Sequence, residues 1–334
     1  MKNQELFFSI IIPTRNRPND FKTALDSVLA QVYTNFEVIV VNDGTSAEYY
    51  EDYNKIERET PDKVQFIKLI ERSRGHGHCF ARNQGADKAK GKYICFLDDD
   101  DWWIDNTFLE RAADEITNYN ADFYFANQKA ITQDNTHIKN VWVENLPEKL
   151  PKNDPRLKQT VFPVSIEELL LATGFPHMNC WAISTQLYFK IGGMDENLRY
   201  EPDRDIYLRA LDKATCILYD QTTTALHNVP DKSKSSNAST LTNLLEKLLF
   251  QQRTADKGIL LLKNKTLIQH CKTRKGYIIK KITMELYKQK KFKSSFYYAL
   301  QALAILPTIK WLGQTSIIAT QFLYTTIKKT EYKG

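Results

Sequence analysis

Residues 92–102 read Lys-Tyr-Ile-Cys-Phe-Leu-Asp-Asp-Asp-Asp-Trp, an apolar run that ends in four consecutive carboxylates. Lys92–Leu97 has the length and aromatic content of a buried strand. Upstream the same kind of run recurs at Phe7–Ile12, which reaches Pro13, at Phe36–Val41, stopped by Asn42-Asp43-Gly44, and at Val64–Ile70. Between them, Asp20–Val32 sets Phe21, Ala24, Leu25, Val28 and Leu29 at helical spacing, and Cys79–Lys90 reads as a helix ended by Gly91. Strands alternating with helices predict an α/β fold, a mostly parallel sheet flanked by helices on both faces. Ligands of such sheets lie beyond the carboxyl ends of the strands. That rule singles out Pro13-Thr14-Arg15, Asp43 and Asp98–Asp101.

Four adjacent carboxylates repel one another, and one is driven toward protonation unless a cation neutralises the group. Oxygen donors select Mg²⁺ or Mn²⁺ over zinc. If the strand persists through the run, Asp98 and Asp100 face one side and Asp99 and Asp101 the other. The competing reading is a helix N-terminus near Asp105, for which Asp101 is the best-suited cap.

Four segments, in this order, are Ser9-Ile10-Ile11-Ile12-Pro13-Thr14-Arg15-Asn16-Arg17, Val40-Val41-Asn42-Asp43-Gly44, Ala81-Arg82-Asn83-Gln84-Gly85 and Phe96-Leu97-Asp98-Asp99-Asp100-Asp101-Trp102. Together they resemble the family 2 glycosyltransferases of the GT-A fold, over about residues 7–230. The resemblance implies inverting transfer of a sugar from a nucleotide-diphosphate donor, a UDP-sugar, to an acceptor hydroxyl. It also implies Mn²⁺ or Mg²⁺ as cofactor, and cell-envelope polysaccharide or lipopolysaccharide assembly as the setting. Residue by residue, it assigns Pro13, Thr14, Arg15 and Asp43 to the nucleotide and places Arg82 near the nucleotide or the aspartates. Asp98, and with it Asp99, joins the nucleotide set, while Asp100 and the late His227 are implied metal ligands. For Asp43 the competing reading is an Asx turn before Gly44; both roles can coexist, which favours binding.

The acceptor hydroxyl needs a base. Family members carry a carboxylate at the start of a helix, and aligning on Asp205-Ile206-Tyr207-Leu208-Arg209 puts Asp203 in that position, with Glu201 as the alternative. Pro202 suits a first helical position, which leaves Asp203 in the first turn. A capping Asp paired with Arg204 or Arg209 is the competing reading. His177 is an acceptor-side candidate. His78, in Gly75-His76-Gly77-His78, is a candidate for lining the site, since two histidines alone are weak evidence for a metal.

With 42% hydrophobic and 26% charged residues, the chain of 334 residues is an ordinary folded protein. Its five cysteines lack a CxxC pair, which disfavours disulfides or zinc and fits a reducing cytoplasm. Net charge is divided unevenly: residues 241–334 hold 18 Lys/Arg against 4 Asp/Glu, a net +14, and the rest 28 against 36, a net −8. We therefore expect a catalytic domain over 1–230, a polar linker over 231–240 and a basic helical region over 241–334.

Residues 292–328 alternate aromatic and aliphatic stretches with lysines. They suit either a helix pair lying on an anionic leaflet, on the inner face of the cytoplasmic membrane, or a hairpin packed on protein, including a second subunit of a homo-oligomer. The former would bring the chain to a lipid-linked acceptor. The nucleotidyltransferase alternative lacks its Gly-rich phosphate loop, because Pro13-Thr14-Arg15-Asn16 holds no glycine. A non-catalytic sugar-nucleotide-binding module would not need Asp203. No nucleic-acid-binding motif accompanies the basic tail.

Overall fold

The structure is a computed structural model and describes residues 6–132, 136–138, 142–172, 174–229 and 242–331. The expected linker, 231–240, lies outside the described residues. The chain divides into two compact units, Met1–Leu198 with Pro202–Ser235, and Arg199–Glu201 with Ser236–Gly334.

The first unit is built on one ten-stranded sheet. Strands β1 (Phe8–Thr14), β2 (Phe36–Asn42), β3 (Val64–Lys68) and β4 (Tyr93–Phe96) pair in parallel in the order β3-β2-β1-β4. All seven residues of β1 and of β2 are buried, which is why both read as unbroken apolar runs. Pro13 is tolerated inside β1 because the pairing with β4 ends at Ile11–Phe96. Helices α1 (Pro18–Leu29), α2 (Tyr50–Glu59) and α3 (His78–Lys88) make the crossovers. At Gly85 in α3, a Cβ would meet Ile11 Cγ2 at 2.5 Å, so this glycine lets the helix lie directly on β1.

Beyond β4 the pairing becomes mixed. It passes through β9 (Trp181–Ser184), antiparallel to both β4 and β6 (Phe123–Ile131), and then β10 (Ile217–Asn228), parallel to β6. Short strand β5 (Trp102–Trp103) closes this edge against β10, while β7 (His137–Ile138) pairs with β6 and β8 (Val161–Pro163) with β10. The sequence suggests two short strands across Thr215–His227; the structure has one, with register shifts around Thr223. Its polar interruption survives inside the sheet because the buried Asp220 carboxylate accepts from Arg111 Nε at 2.7 Å and Tyr124 Oη at 2.6 Å. Helix α4 (Phe108–Tyr119) starts later than expected, and its entry is braced by Asp105, which accepts from Thr107 Oγ1 at 2.7 Å and Arg111 Nη2 at 2.6 Å. Asp101 does not cap this helix: its N-cap is Thr107, which Asp105 holds. The four-residue helix α5 (Leu146–Lys149) follows. Ser165 and Glu168 form the expected capping box of short helix α6 (Ile166–Leu169). Helices α7 (Thr185–Lys190) and α8 (Pro202–Lys213) complete this unit.

The second unit is helical: α9 (Leu244–Leu261), α10 (Lys265–Lys288), α11 (Phe292–Ile305) and α12 (Ile309–Glu331). One core joins Leu248 and Ala255 to Ile278, Ile282 and Leu286, and another joins Ile279 to Ala299, Ala302, Trp311 and Ile318. No helix among the described residues is long and apolar enough to cross a membrane.

Candidate active site

The carboxyl ends of β1, β2 and β4 bring the predicted residues to one rim. Thr14 ends β1 with its hydroxyl 2.6 Å from Tyr53 Oη. Arg15 extends past the strand, its Nε donating to the Gly44 carbonyl at 3.2 Å and its Nη2 to that of Arg72 at 2.7 Å. Asp43, just after β2, gathers the loop before α3: Oδ1 accepts from the His76 backbone at 2.8 Å and lies 2.9 Å from His76 Nδ1, and Oδ2 accepts from Gly77 N at 2.9 Å. The loop can wrap this closely because Gly75 adopts φ +64°, and a Cβ there would meet Asp43 Oδ2 at 2.5 Å. The neighbouring His78 is the first residue of α3.

The four aspartates do not continue the strand. β4 ends at Phe96, and Asp101 N donates back to Asp98 O at 3.2 Å, which turns the chain. The turn replaces period-two alternation with a different pairing. Asp99 and Asp100 both face Arg17, whose Nη2 meets Asp99 Oδ1 at 2.5 Å and whose Nη1 pairs with Asp100. Asp98 pairs with the buried Arg82. Asp101 is buried against His227 Nδ1 at 2.8 Å, Asn179 Nδ2 at 2.5 Å and the Asn228 backbone N–H at 2.8 Å.

These partners set opposite electrostatic states. Burial would raise the Asp98 carboxyl, but the Arg82 guanidinium overrides it and holds Asp98 well below the usual carboxylate range. Burial pushes Asp99 up to about 7, against the opposing pull of Arg17. Burial likewise pushes Asp101 up to about 6, against His227. His177 is driven down to about 3 by burial and stays neutral. Burial would also lower His227, yet the Asp101 charge and hydrogen bond carry it up to about 9.

Asp98, Asp101 and His177 present ligand atoms within 4.8 Å of one another. Two carboxylates and a neutral imidazole fit a divalent ion, and the mixed oxygen and nitrogen set favours Mn²⁺ over Mg²⁺. Around them, the buried Arg82 Nε and Gln128 Nε2 have no hydrogen-bond partner among the described residues, so donors remain for an anionic ligand. The resemblance assigned the ion to Asp100 and His227; here Asp100 is turned to Arg17 and His227 to Asp101.

Asp203 stands in the first turn of α8, after Pro202 at its first position, and accepts from Arg204 N at 3.0 Å. Its charge acts on Arg82, adding to that of Asp98. Asp205 is committed to Arg209 at 2.6 Å, one turn along. Glu201 groups with the helical unit, where its carboxylate accepts from Gln251 Nε2 at 2.6 Å and Arg274 Nη2 at 3.2 Å.

Sequence reasoning missed Asn179, which also accepts from Asp98 N at 3.0 Å and so ties both ends of the aspartate turn together. It also missed the clamping role of Arg17 and the ring of Trp142, packed 5.5 Å from His177 and 5.4 Å from His227. Asn179 stands two residues beyond His177, a spacing that offers no periodic signal.

Acidic side chains and their arginine partners thus gather where the parallel part of the sheet ends, the rim at which ligands of α/β sheets bind. The family model Glycosyl transferase family 2 matches residues 9–166. An uncharacterised glycosyltransferase of Rickettsia prowazekii (strain Madrid E) is 30% identical over 72% of this chain and 67% of its own length. Other relatives are matched over 16% and 64% of their own length. Among solved structures, S. aureus TarS 1–349 in complex with UDP-GlcNAc superposes with a TM-score of 0.65 at 17% identity, covering 90% of this chain and 82% of that one. The mannosyltransferase PcManGT from Pyrobaculum calidifontis, in complex with GDP-Man and Mn²⁺, gives 0.59 at 14% identity, covering 98% and 83%. The chain belongs to glycosyltransferase family 2.

Proposed function

We propose that the chain is an inverting, metal-dependent glycosyltransferase. It would move a sugar from a UDP-sugar to the hydroxyl of a saccharide or lipid-linked acceptor in cell-envelope polysaccharide or lipopolysaccharide assembly. The observation that carries the reading is the convergence of Asp98, Asp101 and His177 at the carboxyl end of β4. The TarS complex with UDP-GlcNAc and the PcManGT complex with Mn²⁺ support the donor and the ion by likeness.

Asp43 is the proposed base reader. A carboxylate has about four acceptor sites; Oδ2 takes only Gly77 N, which leaves it one acceptor site for a base N–H such as that of uracil. Pro13, Thr14 and Arg15 frame the same pocket rim. Asp98, Asp101 and His177 would hold Mn²⁺ or Mg²⁺, with Asp100 the further ligand implied by the family and His227 orienting Asp101. When bound there, the ion supplies Lewis-acid stabilisation of the departing diphosphate. Asp203 accepts the proton of the acceptor hydroxyl, and a single base opposite the leaving group accounts for inversion. Arg82, fixed by Asp98, offers its unpartnered Nε toward an anionic donor. Peripheral membrane contact through 292–328 is part of the proposal, and a homo-oligomer is the alternative use of that surface.

Thermal-shift measurements against UDP-, GDP- and dTDP-sugars, with and without Mn²⁺, test the reading. The largest rise in melting temperature is expected for a UDP-sugar with Mn²⁺. Equal shifts for all three nucleotides, or none that depends on metal, would refute it.

A further inference from the structure

Tyr277, Lys280, Lys281, Met284 and Lys288 recur at steps of three and four along α10, so they share one side of that helix. This side, with Leu248 of α9 and Trp311 of α12, walls a cavity of 330 Å³ with an apolar floor. The volume falls within the usual range of ligand pockets. Lys280, Lys281 and Lys288 have no carboxylate partner among the described residues. Glu285 also lines the cavity, and its Oε1 is taken by Gln289 Nε2 at 3.1 Å. The Lys280 ammonium sits 5.3 Å from the Trp311 ring centroid and 5.7 Å from that of Tyr277. Burial there lowers its pKa, a cost that a bound anion would relieve.

Three unpaired ammonium groups over an apolar floor match an amphiphilic anion better than a bare one. The adjoining helix α12 points the same way. From Trp311 to Ile327 it carries no charged residue. Trp311, Thr315 and Ile318 are buried on one side, while Ile309, Leu312, Ile317, Leu323 and Ile327 on the other are each more than half exposed. A second copy of this unit would bring another net +14 against the first, so charge opposes self-association through this region. An anionic lipid satisfies the cleft lysines with its phosphate and the apolar floor with its chains, and the exposed side of α12 offers further apolar surface to a bilayer.

We propose that Lys280, Lys281 and Lys288 bind the phosphate of an anionic lipid while the uncharged side of α12 enters the bilayer interface. This inference rests on the peripheral contact proposed above and names its ligand; it is independent of the transfer chemistry. Vesicle sedimentation of the full chain tests it. Retention is expected on phosphatidylcholine vesicles containing phosphatidylglycerol, and not on phosphatidylcholine alone. Combining Lys280→Gln, Lys281→Gln and Lys288→Gln should weaken that retention on the order of 100-fold. The corresponding triple Arg replacement should preserve it, and controls for a Gln variant that folds poorly. Sugar transfer to a soluble acceptor should be equal in all three proteins, so failure here and failure of the transferase reading are separable. Equal retention on both vesicle types, or unchanged retention of the Gln variant, would overturn the lipid site. So would stabilisation by inorganic phosphate without vesicle binding, which would make the ligand a soluble anion.

Discussion

The two units spend their charges in opposite ways. In the sheet unit the site carboxylates are matched by arginines and histidines over short distances, as in Arg17 with Asp99 and Asp100, Arg82 with Asp98, and His227 with Asp101. In the helical unit the lysines of the α10 cleft have no such partners among the described residues, and an uncharged side of α12 lies exposed. Internally satisfied charge marks a site whose geometry is fixed before its ligand arrives, because buried ions are tolerated only when paired. Unsatisfied charge beside exposed apolar surface marks a region whose partner lies outside the chain. On the proposed reading chemistry and docking are separable, and substitutions in one unit should leave the function of the other intact.

The largest expected effect is on transfer. Asp203→Asn should lower kcat by about 10²- to 10⁴-fold with little change in donor affinity. Glu201→Gln should leave kcat within a few-fold, since that carboxylate is engaged by Gln251 and Arg274. Steady-state kinetics with a soluble acceptor would decide between them, and vesicle retention should be the same for both. A large loss in Glu201→Gln alone would transfer the base assignment and blur the division between the units.

Next comes folding stability. Trp311→Ala removes an indole whose Nε1 donates to the Ala299 carbonyl at 3.1 Å and which fills the core between α10, α11 and α12. We expect a loss of about 3–5 kcal/mol in denaturant unfolding. If the units are thermodynamically distinct, the loss should appear in a transition that leaves the proposed Mn²⁺-dependent donor binding by the sheet unit intact. A single transition that carries both signals down together would break the comparison.

In the sheet unit, Asn179→Ala should cost about 1–3 kcal/mol, because it strips a partner from the buried Asp101 carboxylate and from Asp98 N. Mn²⁺ titration should separate the two views of the metal site. Asp101→Asn should weaken Mn²⁺ more than Asp100→Asn if the ion sits with Asp98 and His177. The reverse order would favour the Asp100 ligation that the family pattern implies.

How far the residues alone announced this arrangement differs between the units. The strand-end positions Thr14, Arg15, Asp43 and Asp98 were legible because polar residues directly after buried apolar runs stand out, and a parallel sheet gathers such ends at one rim. The orientation of the aspartates was not legible. Alternation presumes an extended chain, and the turn closed by Asp101 N and Asp98 O puts Asp101, rather than Asp100, beside Asp98 and His177. Asn179 and Trp142 reach the site from segments without hydrophobic periodicity, so no pattern pointed to them. In the helical unit the helical, lysine-rich character of 241–334 could be read, but which side each helix buries depends on its neighbours. The lysine cleft therefore emerges only from the packing of α9, α10 and α12.

The smallest expected effect on stability is the one that most sharpens the contrast. Leu323 and Ile327 lie on the exposed side of α12, and replacing both with Ser should change unfolding free energy by only about 0.5 kcal/mol each, as at other exposed sites. Burying one such side chain in a bilayer interface, by contrast, is worth about 1.5–3 kcal/mol at most. The double variant should thus fold like the parent yet lose vesicle retention by an order of magnitude or more. A variant that instead unfolds readily would show that these side chains already have a protein partner, and the exposed side of α12 would then be an interface between copies of the chain. Sedimentation velocity would register that as a parent dimer and a variant monomer.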